Sequence, residues 1–170
     1  MKILVLNGSP RPNGNTQKMI DAFKSSAEEN GNVVSVINVF KKNINDCIAC
    51  EYCHGKGNGI CVQKDDMVEV VNEMKDAEML VIASPIYYHG ISGKLKCVID
   101  RFYAPLYPSN KTNISKVAMF LSSGSPNQYD GAKFSYEGDF LGYLGLEDMG
   151  IYTNYDSNYL EKISELGKSL

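Results

Sequence analysis

The chain has 170 residues, close to the ~150 of a typical domain, so it reads as one domain over residues 1–170 that buries about 70% of its unfolded surface. With 44% hydrophobic and 22% charged residues it is neither disordered nor fibrous. The 17 basic and 20 acidic residues leave a net charge of -3, which argues against nucleic acid or a polybasic membrane surface as the main partner. Apolar runs fall far short of the ~20 residues that span a bilayer. Met1 and Lys2 lead straight into a strand-like run without a signal-peptide core, so the chain is expected to act in reducing cytoplasm. Its five cysteines are therefore read as thiols or ligands, not disulfides.

Taken in chain order, the near-continuous apolar run at 2–7 predicts a strand covered on both faces. Apolar positions Thr16, Met19, Ile20, Phe23 and Ala27 recur at helical spacing and predict a helix over 15–30. A second strand at 33–37 precedes a cysteine-rich loop at about 42–64. Asp65 and Asp66, with Glu69 in capping-box register, predict the start of a helix whose stripe is Met67, Val70, Val71 and Met74. A third strand at 79–83 is expected to end at Ser84-Pro85, and a third helix to run over 92–103. Strands at 117–121 and 149–153 and a closing helix at 159–166 follow; between 122 and 145 only Phe140, Leu141 and Leu144 suggest a short helix. The alternation predicts an α/β fold, a doubly wound five-stranded parallel sheet in the order 2-1-3-4-5, with ligands at the switch point between strands one and three.

The turn after strand one, Gly8-Ser9-Pro10-Arg11-Pro12-Asn13-Gly14-Asn15-Thr16, opens directly into a helix. Small hydroxylated residues, a helix N-terminus and the Arg11 fork form an anion site without the Walker A or dinucleotide pattern. The alternative is ordinary helix capping. After strand three, Pro85 stiffens a turn in which Tyr87 and Tyr88 supply flat surface and the backbone after Ile86 supplies N–H groups. His89 is a less compelling proton donor.

These two segments, with Gly93, Leu95-Lys96 and Asp100-Arg101 behind them, resemble the flavodoxin-like NAD(P)H-dependent FMN reductases. The resemblance implies a flavodoxin-like fold with the FMN phosphate on Ser9, Arg11, Asn15 and Thr16 and the ring on Pro85, Ile86, Tyr87 and Tyr88. It further implies a pyrimidine contact at Ser123 and Gly124, although Asn127-Gln128-Tyr129-Asp130-Gly131 replaces the Gly-Gly-Gln-Glu run that often follows in the family.

Cys47, Cys50, Cys53 and Cys61 are spaced C-x2-C-x2-C-x7-C. Three cysteines at steps of three and a separate fourth suit one iron-sulfur cubane better than a zinc ribbon of paired knuckles. Zinc, with His54 as a substitute ligand, and free thiols are the alternatives. The spacing also resembles that of the iron-sulfur flavoproteins, relatives that carry a [4Fe-4S] cluster beside FMN. Cys97, beside an apolar helical stripe, reads as a small buried hydrophobe.

The expected activity is FMN-dependent oxidoreduction, with NAD(P)H or a ferredoxin-like donor and a quinone, flavin or other small acceptor. No side chain is expected to do covalent catalysis, because flavin N5 carries the chemistry. A flavodoxin-type electron carrier and a metal-binding module are the competing readings. Family habit and eight tyrosines after residue 102 suggest a homodimer or homotetramer.

Overall fold

The computed structural model describes residues 1–107 and 111–170. Among these, five parallel strands form one sheet in the order β2-β1-β3-β4-β5, as the alternation of elements predicts. The strands are β1 (Lys2–Asn7), β2 (Val33–Asn38), β3 (Met79–Pro85), β4 (Lys116–Ser122) and β5 (Glu147–Thr153). The helices are α1 (Asn15–Glu29), α2 (Met67–Asp76), α3 (Gly93–Asp100), α4 (Tyr103–Leu106), α5 (Asp130–Ser135) and α6 (Tyr159–Ser169).

Side chains alternate along each strand, so the sheet separates two apolar cores. Leu4, Leu6, Leu80, Ile82, Met119 and Leu121 face α2 and α3 on one side. Ile3, Val5, Val81, Ala118 and Phe120 face α1 and α6 on the other. There Phe23 meets Phe120 edge-on at 5.4 Å, and Gly167 of α6 lies so close to α1 that a Cβ would come within 2.1 Å of Ser26 Oγ.

Several boundaries differ from the sequence expectation, and three of them bear on the loops at the sheet edge. β3 continues through Pro85, pairing Ser84 with Leu121 and Pro85 with Ser122. The Ile86 N–H donates to Ser122 O, so by strand alternation the missing Pro85 N–H faces the β1 side, where pairing has already ended at Ala83. The third helix stops at Asp100 instead of running to 103, its end tightening to shorter-range bonds from Arg101 N–H to Val98 O at 3.1 Å and from Phe102 N–H to Ile99 O at 3.0 Å. The 122–145 segment holds more helix than expected: α5 runs into a π-helical stretch at Tyr136–Tyr143. The buried Tyr136 anchors it through a hydroxyl bond to Asp148 Oδ1 at 2.7 Å, and Gly145, at φ 66°, ends it.

The capping box is not formed. Asp66 makes no side-chain cap; its Oδ2 accepts the Asn43 N–H at 2.7 Å. Asp65 Oδ1 accepts the Met67 N–H at 3.2 Å, while Oδ2 accepts the Asn45 N–H at 3.0 Å. Both aspartates thus close the neck of a long loop, which Gln63 reinforces with a bond to Asp46 O at 2.8 Å.

Candidate functional site

Three loops meet beyond the carboxyl ends of β1, β3 and β4, where an open α/β sheet binds ligands. The first is ordered by Asn7, a buried residue that the sequence reading passed over. Asn7 Oδ1 accepts the Ser9 N–H at 2.9 Å, and its amide donates to Gln17 Oε1 at 3.0 Å and Asn38 Oδ1 at 2.9 Å. Ser9 Oγ in turn accepts the Arg11 N–H at 3.2 Å. The N-cap of α1 is Gly14, with no side-chain cap, so the first-turn N–H groups of a 15-residue helix are open to an anion. Arg11 and Asn15 are exposed beside them. This donor set fits a phosphate.

Thr16 is placed differently. Its hydroxyl is buried and shares a 2.7 Å hydrogen bond with Ser122 Oγ, so the side chain joins the first loop to the end of β4. Gly8 is needed at a close approach, since a Cβ there would lie 2.5 Å from Ser92 Oγ and 2.9 Å from Leu95 Cβ.

The second loop is a tight hairpin. Tyr87 and Gly90 exchange backbone bonds of 2.9 and 3.0 Å, and Tyr88 and His89 between them have φ of 50° and 64°. That is a type I′ geometry, which side chains larger than Asn or Gly adopt only at a cost. The His89 carbonyl is fixed by the Ala132 N–H at 3.0 Å, and a Cβ at Gly131 would strike that carbonyl at 2.8 Å. Tyr87 and the fully exposed Tyr88 therefore stand on a held, strained turn, with Ile86 and Pro85 half-buried beneath them.

The third loop is clamped by Asn154, also missed in the sequence. Its Oδ1 accepts the Ser123 N–H at 2.7 Å and the Tyr129 hydroxyl at 2.9 Å, and its amide donates to Ser123 O at 3.1 Å. Gly124 lies at the open tip, its carbonyl accepting the Tyr155 hydroxyl at 2.9 Å. The only sequence signal for Asn7 and Asn154 is an amide at the end of a β-run, and each has a partner 31 residues away.

The four cysteines share the loop whose neck is closed by Asp65 and Asp66. Cys47 and Cys50 are exposed and Cys53 and Cys61 partly buried. Among the described residues no group of three or more His, Cys, Asp or Glu converges as a metal site, so the structure does not bring the four thiols together. Burial pushes the Cys53 thiol up, and Cys61, Glu51 and Cys47 act on it in the same direction. The donor chemistry, four thiols on one loop, fits an iron-sulfur cluster. His54 lies elsewhere: its Nε2 is 2.9 Å from Tyr103 O and its ring packs on Tyr103 and Tyr107. Cys97 is partly buried against the core.

Beside the neck, Arg101 and Asp65 form an ion pair of 2.5 Å whose side chains are 2% and 3% exposed. Burial alone would raise the Asp65 carboxyl, yet the Arg101 guanidinium and the Asn45 and Met67 N–H groups bring it below its ordinary value. Burial alone would likewise lower Arg101; Asp65 and the neighbouring Cys61 outweigh it.

Comparison with known proteins identifies the family. Residues 1–151 match the model of the NADPH-dependent FMN reductases. The chain belongs to that family. It is 37% identical over 101 residues to an iron-sulfur flavoprotein of Methanocaldococcus jannaschii, an alignment covering 59% of this chain and 51% of the relative. It is 30% identical to one of Archaeoglobus fulgidus, over all of this chain and 79% of the relative. The chain therefore spans about half the length of the first of these. The fold is similar to that of an NAD(P)H:quinone oxidoreductase from Methanothermobacter marburgensis, with TM-score 0.77 and 18% identity over 99% of this chain and 96% of the other. Among the described residues no helix is long and apolar enough to cross a membrane.

Proposed function

We propose that the protein is an FMN-dependent oxidoreductase that takes electrons from NAD(P)H or a ferredoxin-like donor and delivers them to a quinone, flavin or other small acceptor in the cytoplasm. The observation that carries this reading is the uncapped N-terminus of α1, beside Ser9, Arg11 and Asn15, at the same sheet edge as the strained Tyr88-His89 turn. Bound FMN would supply hydride and single-electron chemistry at N5. The chain's own part is binding and placement. Ser9 Oγ, the Arg11 fork, Asn15 and the first-turn N–H groups, Thr16 included, hold the phosphate; Pro85 to Tyr88, with Ser123 and Gly124, frame the ring.

The iron-sulfur names of the relatives and the four-thiol loop support a [4Fe-4S] cluster on Cys47, Cys50, Cys53 and Cys61, which would supply one-electron transfer. The exposed Tyr87 and Tyr88, together with family habit, support a homodimer or homotetramer. The test is anaerobic purification followed by flavin, iron and sulfide analysis and steady-state NAD(P)H oxidation with a quinone. Stoichiometric FMN and turnover support the enzyme. FMN without turnover favours a flavodoxin-type carrier, and FMN without iron leaves a plain reductase with free thiols.

A further inference from the structure

The Tyr88 side chain is fully exposed, so no packing contact sets its position and the backbone of the turn alone decides where the ring stands. That backbone is left-handed at both Tyr88 and His89. An Asn-Gly pair would adopt the same turn with far less strain, and strained backbone that carries bulky side chains marks a place where function keeps them.

The turn is held by α5. The Ala132 N–H donates to His89 O at 3.0 Å, and Gly131 lies against the same residue: a Cβ there would come within 2.8 Å of the carbonyl oxygen and 3.4 Å of its carbon. The carbonyl would have to move. The start of α5 cannot yield in its place, because its N-cap, Tyr129, is buried and its hydroxyl donates to Asn154 Oδ1 at 2.9 Å. At the base of the turn the Ile86 N–H is bonded to Ser122 O at 2.7 Å, so a shift is taken up at the tip, by Tyr88 and His89. Capping of α5 accounts for the Ala132 bond, yet it asks only for a carbonyl and not for an exposed aromatic ring on a strained turn.

We propose that Gly131 is a positioning residue that sets where Tyr88 stands and thereby favours flat, conjugated electron acceptors, the quinone class, over acceptors that do not stack. This rests on the oxidoreductase reading above. A flat acceptor that reaches a ring framed by Pro85 to Tyr88 meets the Tyr88 ring, and aromatic rings pair in offset or edge-to-face contact at centroid distances of about 4.5–7 Å. Such contact tolerates little displacement. A Cβ at position 131 would push the His89 carbonyl, and with it the turn, out of that range, whereas an octahedral one-electron acceptor has no flat face to lose.

Two measurements test it. Protection of the Tyr87 and Gly90 amides against hydrogen exchange, relative to their intrinsic rates, reports closure of the turn without reference to any ligand. It should fall in Gly131→Ala and stay unchanged in Gly138→Ala, where a Cβ meets nothing within 4 Å. Protection retained in Gly131→Ala overturns the hold of α5 on the turn. In the second measurement, FMN-loaded protein is reduced with dithionite and mixed with the naphthoquinone menadione or with ferricyanide. Gly131→Ala should raise the half-saturating menadione concentration several-fold at a nearly unchanged limiting rate, leave the ferricyanide reaction as it was, and add nothing in a Tyr88→Gly background. An unchanged menadione response, equal effects on both acceptors, or an effect that persists without the Tyr88 ring overturns the selective role. Should Gly131→Ala fail to fold, Ala132→Pro, which removes the N–H donor, takes its place in both measurements. If the unmodified protein holds no FMN, the oxidoreductase reading and the selective role fall together, while the exchange measurement still decides the hold on the turn.

Discussion

Thr16 and Ser122, 106 residues apart, share a buried hydroxyl–hydroxyl hydrogen bond of 2.7 Å that couples the candidate phosphate loop to the end of β4. Removing one partner leaves the other buried and unsatisfied, at about 1–3 kcal/mol. Thr16→Ala should therefore lower unfolding free energy and FMN affinity together, and Thr16→Ser should restore both. Chemical denaturation and flavin titration check this; an affinity loss without a stability loss would mean the hydroxyl serves the phosphate directly.

Gly8 and Gly124 make opposite predictions. Gly8→Ala forces a Cβ against Ser92 Oγ and Leu95 Cβ and should cost about 1–3 kcal/mol, with weaker FMN binding as the loop shifts. Gly124→Ala meets nothing within 4 Å and should be neutral within about 0.5 kcal/mol. Thermal melts of the two variants with and without FMN separate them.

The Tyr88-His89 turn holds two bulky residues in left-handed backbone conformations. Replacing them by Asn and Gly should relieve about 1–3 kcal/mol of strain per residue at most and raise the melting temperature. The same change should reduce turnover, since it removes the exposed ring of Tyr88. A variant that gains stability and keeps full turnover would show that the tyrosine serves nothing at the flavin.

The Asp65–Arg101 pair sets an acid limit. The Asp65 carboxyl lies below its unfolded value, so its contribution is present above about pH 4 and is lost as pH falls through the folded value. Protection of the Asn45 and Met67 amides against hydrogen exchange, measured relative to their intrinsic rates, should fall over that acid range before the sheet unfolds. Asp65→Asn leaves a buried guanidinium unpaired and should cost about 3–5 kcal/mol while flattening the acid dependence.

Strands and sheet order are legible in the sequence because buried parallel strands are continuous apolar runs joined by helical periods. Pro85 misleads for a geometric reason: whether a proline ends a strand depends on which neighbour its missing N–H would face, and only the sheet decides that. The candidate phosphate loop stands out in the sequence because its Gly, Ser and Asn residues are contiguous. Asn7, Asn154 and Arg101 do not, since each acts on a partner 31 to 36 positions away. Asp65 does accept the first N–H of α2, as local spacing suggests, but its other oxygen and the Asp66 carboxylate are taken by partners across the loop neck.

The closed neck makes the cysteine loop a detachable cassette. Asn43 and Asp66, 23 positions apart, bond to each other in both directions, so the chain leaves the sheet and returns to it at nearly one point. Because closure entropy grows only slowly with loop length, such a segment can lengthen, shorten or exchange its cysteines with little penalty to the fold beneath it. The rim of this scaffold can thus diversify while the sheet and the three loops at its carboxyl edge stay unchanged.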